Sequence, residues 1–398
     1  MGLNSKEFAT KFTGELDRVL CQQSAVGFMT DNNFSTKFVG AKSVKIPSIE
    51  MEGLGDYDRE TGFISGAVNV TDTVYTMKQD RARTFSIDRE DLDESGVAEL
   101  AGSVMSEFVR TKVVPETDAY VISKLAGLAS TRNQLISDCN VTKPYDCFSK
   151  LLTEVQSAAG YDEEIVCFVN PFIWTQLRMS DEFTKYISLG EFTQGELKTQ
   201  VHMIDNVPII PVSYSRMHSA YNFLSGKDAG VAGGFEVADG AKGIYMLMLP
   251  KKAASLVRKS ETIRTFTPEQ NITADAYKFD YRLYYDLFVK SSYNSSVWVI
   301  VAPSITISSN LAATKNVTKG NISGSISVTA AADDSSTLEY QWYKCDEGKT
   351  NVAKIAGETG ASMTLDTGLE TGKYYYFVRI TAGGATVVDS NVCCVTVS

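Results

Sequence analysis

Histidine is scarce in this chain, and the cysteines are not spaced for a metal. The 398 residues include two histidines, His202 and His218, which lack ligand spacing and are expected to be ordinary strand or loop residues. Seven cysteines are present, an odd number with no Cys-x-x-Cys pair, which predicts reduced thiols in a cytoplasmic product. No Gly-x-Ser-x-Gly motif occurs either. We therefore predict no catalytic residues, no metal site and no cofactor.

Positive charge and long apolar runs are also lacking. The formal net charge is −10, and no run of five like charges occurs, which argues against sequence-specific binding to nucleic acid. The longest apolar run, near Ile244–Pro250, is far shorter than the roughly 18 residues of a membrane span. The first seven residues contain no apolar signal core. We expect a protein that is made in the cytosol and does not enter a membrane.

Length and composition indicate more than one domain. A chain of 398 residues is too long for one compact core. After Val301 the composition shifts to Thr, Ser, Val, Ala and Gly, with strand-like segments roughly every ten residues. That spacing predicts an all-β sandwich over residues 303–398, separate from a larger unit over residues 1–302.

A glycine-rich hairpin is predicted in the first hundred residues, after a weakly amphipathic arm at residues 1–33. Residues 43–47 and 68–77 have strand patterns, and residues 50–66 between them are rich in glycine and carboxylates. The hairpin has too few large apolar residues to be stable alone. We therefore expect it to lie on another surface.

A long helix and an α/β unit are predicted to follow the hairpin. Apolar residues recur at helical spacing over residues 87–128, and Pro115 should break or kink this helix. Over residues 145–290 helical patterns and buried-strand patterns alternate, ending in an aromatic strand that starts at Tyr281. The large unit therefore mixes helices and strands.

Two further segments have some features of chemical sites. Residues 348–350 end like a phosphate-binding loop, but Tyr343 stands where the first glycine of that motif belongs. The second is the acidic cluster of Asp56, Asp58 and Glu60. Its carboxylates could bind a divalent cation or act in a hydrolase, but a solvated loop tip is the preferred interpretation.

The order of these elements resembles the tailed-phage major capsid protein family, which has the Hong Kong 97 fold. The resemblance covers roughly residues 1–302 and is carried by several local strings. They are Gln79 to Asp88 between hairpin and helix, Val114 to Tyr120 and Ser123 to Leu125 in the helix, Val207 to Val212 with Tyr214 to Met217, and Tyr281 to Val289 as the closing strand.

The resemblance implies an α+β fold with the parts of that family. They are an N-terminal arm (1–33), an E-loop hairpin (about 46–80), the spine helix of a peripheral domain (about 88–128) and an axial domain (about 145–260). The implied function is structural rather than enzymatic. The chain would self-assemble through pentamers and hexamers into the icosahedral head of a tailed phage and enclose packaged double-stranded DNA.

Partners and contacts follow from the same resemblance. A portal and a separate scaffolding protein are expected, with non-specific DNA contact inside a virion that assembles in the host bacterial cytoplasm. No lysine lies between Lys45 and Lys78, so we expect a noncovalent shell. Encapsulin-type compartments and, less favoured, surface adhesins remain as alternatives. The predicted intersubunit contacts are Glu52, Asp56, Tyr57, Asp58, Arg59, Phe63, Arg81 and Arg83.

The tail at residues 303–398 resembles a bacterial-type immunoglobulin-like domain. Tyr340 to Tyr343 is similar to the strand that carries the core tryptophan, here Trp342. Thr371 to Tyr376 is similar to the tyrosine-corner region, with Tyr376 where the second cysteine of antibody domains would fall. Core packing is the preferred interpretation of Trp342 and Tyr374. The resemblance implies a domain that decorates the outer surface and makes weak contacts with cell-surface glycans.

Overall fold

The computed structural model describes most of the chain after the arm. The described residues are 24–30, 37–40, 42–60, 62–63, 65–89, 104–137, 139, 141, 143–181, 185, 187–194, 197–227, 232–333, 337–382 and 387–398. The predicted arm at residues 1–33 therefore lies largely outside them. The described helices are α1 (Val114–Thr131), α2 (Pro144–Ala159) and α3 (Pro171–Met179).

Strands make up most of the rest. In the large unit they are β1 (Lys37–Val39), β2 (Ser43–Met51), β3 (Val68–Thr76), β4 (Gln79–Asp88), β5 (Leu135–Ile136), β6 (Ile165–Val169), β7 (Ile187–Gln194), β8 (Leu197–Ile204), β9 (Val207–Pro211), β10 (Tyr221–Leu224), β11 (Gly234–Val237), β12 (Ile244–Pro250), β13 (Ala254–Phe266), β14 (Ala276–Val289) and β15 (Trp298–Val301). In the tail they are β16 (Ile305–Ser309), β17 (Thr314–Val317), β18 (Ser325–Ser327), β19 (Thr329–Ala332), β20 (Glu339–Cys345), β21 (Ala353–Lys354), β22 (Ser362–Thr364), β23 (Gly372–Thr381), β24 (Val388–Asp389) and β25 (Cys393–Val397).

The predicted long helix is present, but its predicted start is wrong. Ile87 and Asp88 end strand β4, because that segment pairs with β14 and alternates between its two faces. Residues 90–103 lie outside the described residues. From residue 104 the chain is helical as far as Thr131.

Pro115 does not break this helix. A π-helical turn over Val109–Val113 precedes it, and the Val114 N–H bonds to the Val109 carbonyl five residues earlier. Proline lacks an amide hydrogen and crowds the preceding turn, so a regular helix would be strained here. The wider turn accommodates the ring and keeps the helix continuous.

Helix α1 packs against the three-stranded sheet β13-β14-β4. Aromatic rings make much of this contact. The ring centroids of Phe85 and Phe108 are 4.8 Å apart, and those of Tyr120 and Tyr285 are 5.5 Å apart. The sheet therefore holds the helix along its length, from the π-helical turn to the middle of α1.

A seven-stranded sheet forms the second layer of the large unit, in the order β5-β15-β12-β6-β9-β8-β7. Its centre is fully apolar: every residue of β6 and of β12 is buried. Helices α2 and α3 pack against it through Phe148, Leu151, Ile173 and Leu177. The helices and strands predicted for residues 145–290 are confirmed here.

The tail is an all-β unit around its own core. A sheet ordered β17-β25-β23-β20-β21, with β24 beside β23, and the pairs β16-β19 and β18-β22 surround it. Trp342 is completely buried in this core, and its indole N–H donates to the Gly360 carbonyl at 2.8 Å. Residues 348–350 form a turn between β20 and β21 rather than the start of a helix.

The prediction that the cysteines are reduced thiols is wrong for one pair. Cys139 and Cys147 form a disulfide. Cys147 lies in the first turn of α2, and the chain before that helix folds back so that the two Cα atoms are 5.6 Å apart. This is within the range that a disulfide bridges, and the spacing of cysteines along the sequence does not reveal such a fold-back. Among the described residues the free cysteines are Cys167, Cys345, Cys393 and Cys394.

Across the described parts of the chain, none of the helices is both long and apolar enough to cross a membrane.

Candidate intersubunit surface

The hairpin predicted around residues 50–66 is present. Strands β2 and β3 pair antiparallel from Ser43 opposite Thr76 to Met51 opposite Val68. A nine-residue strand spans roughly 30 Å. The hairpin is therefore a long ribbon, and its contacts with the large unit that the structure describes lie at its base.

The base of the hairpin is fixed by a small apolar cluster. Val44, Ile46 and Met77 are buried against residues of β13 and β14, among them Val257 and Phe288. The hydroxyl of Tyr284 donates to the Met77 carbonyl at 3.3 Å. The cluster accounts for one face of the ribbon near its base and leaves the other face uncovered.

The uncovered face of the ribbon carries several exposed apolar side chains beside one ion pair, between Lys45 and Asp72. Neighbouring residues of a strand point to opposite faces, so the residues on this face lie opposite those that anchor the base. Val70 has 64% of its surface exposed and Met51 has 73%. The exposed apolar residues on this face, which we call the outer face, are Met51, Val68, Val70 and Val74.

The tip beyond the outer face is closed by local contacts. Asp58 and Gly62 exchange backbone hydrogen bonds, and the rings of Tyr57 and Phe63 meet edge to face at 5.1 Å. Gly62 has φ +81°, a conformation that favours glycine. Leu54 and Phe63 are nevertheless almost fully exposed. The tip therefore has a defined conformation, and yet its apolar side chains are exposed to solvent.

The structure brings six of the eight predicted contact residues together at the tip, namely Glu52, Asp56, Tyr57, Asp58, Arg59 and Phe63. It places Arg81 and Arg83 elsewhere, on β4. The residues of the outer face were not among the predicted contacts. The signal was available in the alternation of valines with polar residues along β3, which indicates a strand with one apolar face.

Arg81 is used within the chain. Its guanidinium donates to both carboxylate oxygens of Glu116 on α1, at 2.6 and 3.2 Å, and to the carbonyls of Leu224 and Gly234, each at 3.0 Å. Four of its five donors are therefore occupied. Arg81 joins β4, α1 and the β10–β11 hairpin.

A buried carboxylate ties the hairpin base to the helix. Asp286 on β14 accepts from the Tyr120 hydroxyl at 2.6 Å, from the Lys78 backbone N–H at 3.0 Å and from the Lys124 ammonium. Burial lowers the pKa of Lys124 and raises that of Tyr120, and Asp286 opposes the first shift and adds to the second. The ribbon therefore leaves the body from a rigid, hydrogen-bonded base.

No catalytic arrangement was found among the described residues. They contain no group of three His, Cys, Asp or Glu side chains placed to hold a metal ion. A cavity of about 150 Å³ lies beside the Cys139–Cys147 disulfide, with Lys143, Asp146 and Lys150 in its wall. This wall contains no histidine and no free thiol that would act as base or nucleophile.

The chain has distant likenesses to several solved structures. No protein-family model matches the chain, and no curated protein matches it. Among solved structures, Mycobacterium phage Che8 is 13% identical with a TM-score of 0.40, over 65% of this chain and 84% of that one. The mature capsid of bacteriophage PhiM1 is 12% identical with a TM-score of 0.42, over 66% and 82%. A virus-like particle from Pyrococcus furiosus is 10% identical with a TM-score of 0.36, over 71% and 98%. Likenesses this distant do not decide the function of this chain, and the hairpin is the feature from which a function can be inferred.

Proposed function

We propose that this chain is a structural shell subunit, the major capsid protein of a tailed double-stranded-DNA phage with a Hong Kong 97-like fold. The observation that carries the proposal is the outer face of the hairpin. Apolar side chains that are exposed on one face of a ribbon with a rigid base are stabilised when another copy covers them.

In a closed shell every such ribbon can be covered by a neighbouring copy. Each copy both offers its ribbon and receives one, and the many weak contacts in a closed assembly add up. The absence of lysine between Lys45 and Lys78 leaves the ribbon without an amine nucleophile, so the joints would be noncovalent. Pentamers and hexamers of this chain, a portal and a separate scaffolding protein are the proposed partners.

The tail is proposed to be an immunoglobulin-like domain on the outer surface of the shell. Two features support this: the buried Trp342 on β20, and the Tyr374 hydroxyl, which donates to the Glu370 carbonyl four residues earlier at 3.0 Å. The second feature has the geometry of a tyrosine corner. Weak contact with cell-surface glycans is proposed for this domain.

Electron microscopy of the purified protein, with scaffold supplied, tests the proposal. We expect uniform closed particles of the order of tens of nanometres, because every ribbon must be covered. Genome-length DNA inside particles from infected cells would support a phage head, and an enclosed enzyme would support a cellular compartment instead. A persistent monomer would overturn both.

A further inference from the structure

Arg83 is an exposed cation whose guanidinium lies against two glycines, Gly226 and Gly233. A Cβ atom added at Gly226 would lie 3.3 Å from the Arg83 Nη1 atom and 3.0 Å from the Gly233 backbone, and one at Gly233 would lie 3.4 Å from the same nitrogen. Gly226 also has φ +64°. Two glycines therefore let this guanidinium lie close over the loop end of the β10–β11 hairpin.

No acid neutralises this site among the residues that the structure describes. Arg83 has no hydrogen-bond or ion-pair partner there, and neither has the ammonium of Lys227, next to Gly226. The nearby Glu116 carboxylate is occupied by Arg81. Arg83 and Lys227, which follows Gly226 in the chain, are therefore both exposed, and a cationic site of this kind suits a carboxylate partner.

The hairpin tip has the complementary charge. Between residues 52 and 63 it carries four carboxylates and one cation, Arg59. Glu52 and Asp58 accept backbone hydrogen bonds within the tip. Asp56 and Glu60 have no partner in the described part of the chain, so their carboxylates are free to meet a cation on another molecule.

We infer that Arg83 and Lys227 of one copy form the docking site for the hairpin tip of a neighbouring copy, which engages it through Asp56 and Glu60. This rests on the proposed shell function and names the surface that receives the tip. The occupant is a second copy because the ribbon carries the tip away from its base, and charge complementarity selects the site. The exposed ring of Phe63 adds apolar and cation–π contact beside the carboxylates.

A charge swap tests the inference. Arg83→Glu places like charges at the joint and should raise the protein concentration needed for assembly at least about tenfold, since like-charge contacts cost more than the 1.4 kcal/mol of a tenfold change. Adding Asp56→Arg and Glu60→Arg to that variant should restore assembly to near the wild-type threshold. Arg264→Glu is the matched control, because Arg264 lies on the opposite face of the same sheet.

A second measurement needs no variant. A zero-length carbodiimide applied to particles of mixed 14N and 15N chains should join Asp56 or Glu60 to Lys227 in peptides that combine light and heavy halves. Wild-type particles that form but give no such mixed link would overturn the inference while the shell function stands. An Arg83→Glu variant that assembles as the wild type does would also overturn it. So would rescue of Arg83→Glu by Asp228→Arg, because Asp228 follows Lys227 in the same chain and such a rescue would point to a pair within one copy. Failure of the wild type to assemble would reject the shell function itself.

Discussion

Arg81 and Glu116 form a two-point ion pair that fastens the strand after the hairpin to the long helix. Both side chains are mostly buried, with 24% and 14% of their surfaces exposed. The same guanidinium reaches two carbonyls at the loop end of the β10–β11 hairpin. Three elements that are distant in sequence are therefore held by one planar cation.

The geometry predicts that lysine will not replace Arg81. Arg81→Lys keeps the charge but loses the fork that bonds both Glu116 oxygens and the carbonyls of Leu224 and Gly234. We expect the free energy of unfolding to fall by about 2 kcal/mol in urea titrations. The exposed Arg264→Lys should change it by less than about 0.5 kcal/mol. If the two substitutions cost the same, the bonds of Arg81 do not stabilise the fold.

The outer face of the hairpin predicts a separation of assembly from stability. Val70→Asp puts a charge on the exposed apolar face and should abolish particle formation, while the unfolding free energy of the unassembled chain changes by less than about 0.5 kcal/mol. Thr71→Asp, one residue along and on the opposite face, is the matched control. Sedimentation and thermal melting measure the two effects. Equal assembly of both variants would remove the outer face from the interface.

Patterns in the sequence were enough to predict the elements that have a strong period. The valines of β3 and the aromatic run of β14 predicted strands, and the apolar spacing before and after Pro115 predicted the helix. The π-helical turn was not predictable, because it depends on how the helix packs against Phe85 and the sheet while it accommodates the proline.

Contacts between distant segments account for what the sequence did not reveal. Nothing local distinguishes Arg81, which pairs within the chain, from Arg83, two residues later, which has no partner among the described residues. The difference arises from the folded structure, which places the Glu116 carboxylate beside Arg81 and the two glycines Gly226 and Gly233 beside Arg83. The Cys139–Cys147 pair is similar, because only the fold-back before α2 brings the two sulfurs together.

That disulfide predicts a reductant-sensitive stability. Cys139 and Cys147 are eight residues apart, and closing a loop of this size restricts the unfolded chain by about 2–3 kcal/mol. Dithiothreitol, or Cys147→Ser, should therefore lower the unfolding free energy by about that amount. Alkylation of the unfolded, unreduced protein should leave two of the seven cysteines unmodified. Modification of all seven would show that the pair is reduced in the purified protein.

His218 predicts an acid-sensitive contribution to stability. Its ring is buried, with Nδ1 3.3 Å from the Tyr221 hydroxyl, and burial lowers its pKa, opposed in part by a backbone hydrogen bond with Tyr214. As the pH falls through about 6.5, the His218 ring binds a proton in the unfolded chain but stays neutral in the folded chain. The contribution of His218 to the free energy of unfolding is therefore fully present above about pH 6.5. It is lost as the pH falls from there toward the pKa of the folded state.

The measurement compares wild type with His218→Phe in urea unfolding between pH 7.5 and 5. The wild type should lose stability relative to the variant as the pH drops below about 6.5. A constant difference between wild type and His218→Phe over this range would contradict the assignment.

The corner hydrogen bond of the tail predicts a local loss of protection. Tyr374→Phe removes the hydroxyl that donates to the Glu370 carbonyl and should cost about 1 kcal/mol, because one hydrogen bond is lost without a cavity. Hydrogen exchange in β23 should speed up by about fivefold, while exchange in β12 stays unchanged, since Tyr374 packs on the core of the tail and the residues of β12 are buried in the core of the large unit. Tyr340→Phe is the matched control, because its ring packs on the same core and its hydroxyl has no partner among the described residues. Equal effects of the two substitutions would mean that the ring of Tyr374, and not its hydroxyl, holds this corner of the tail.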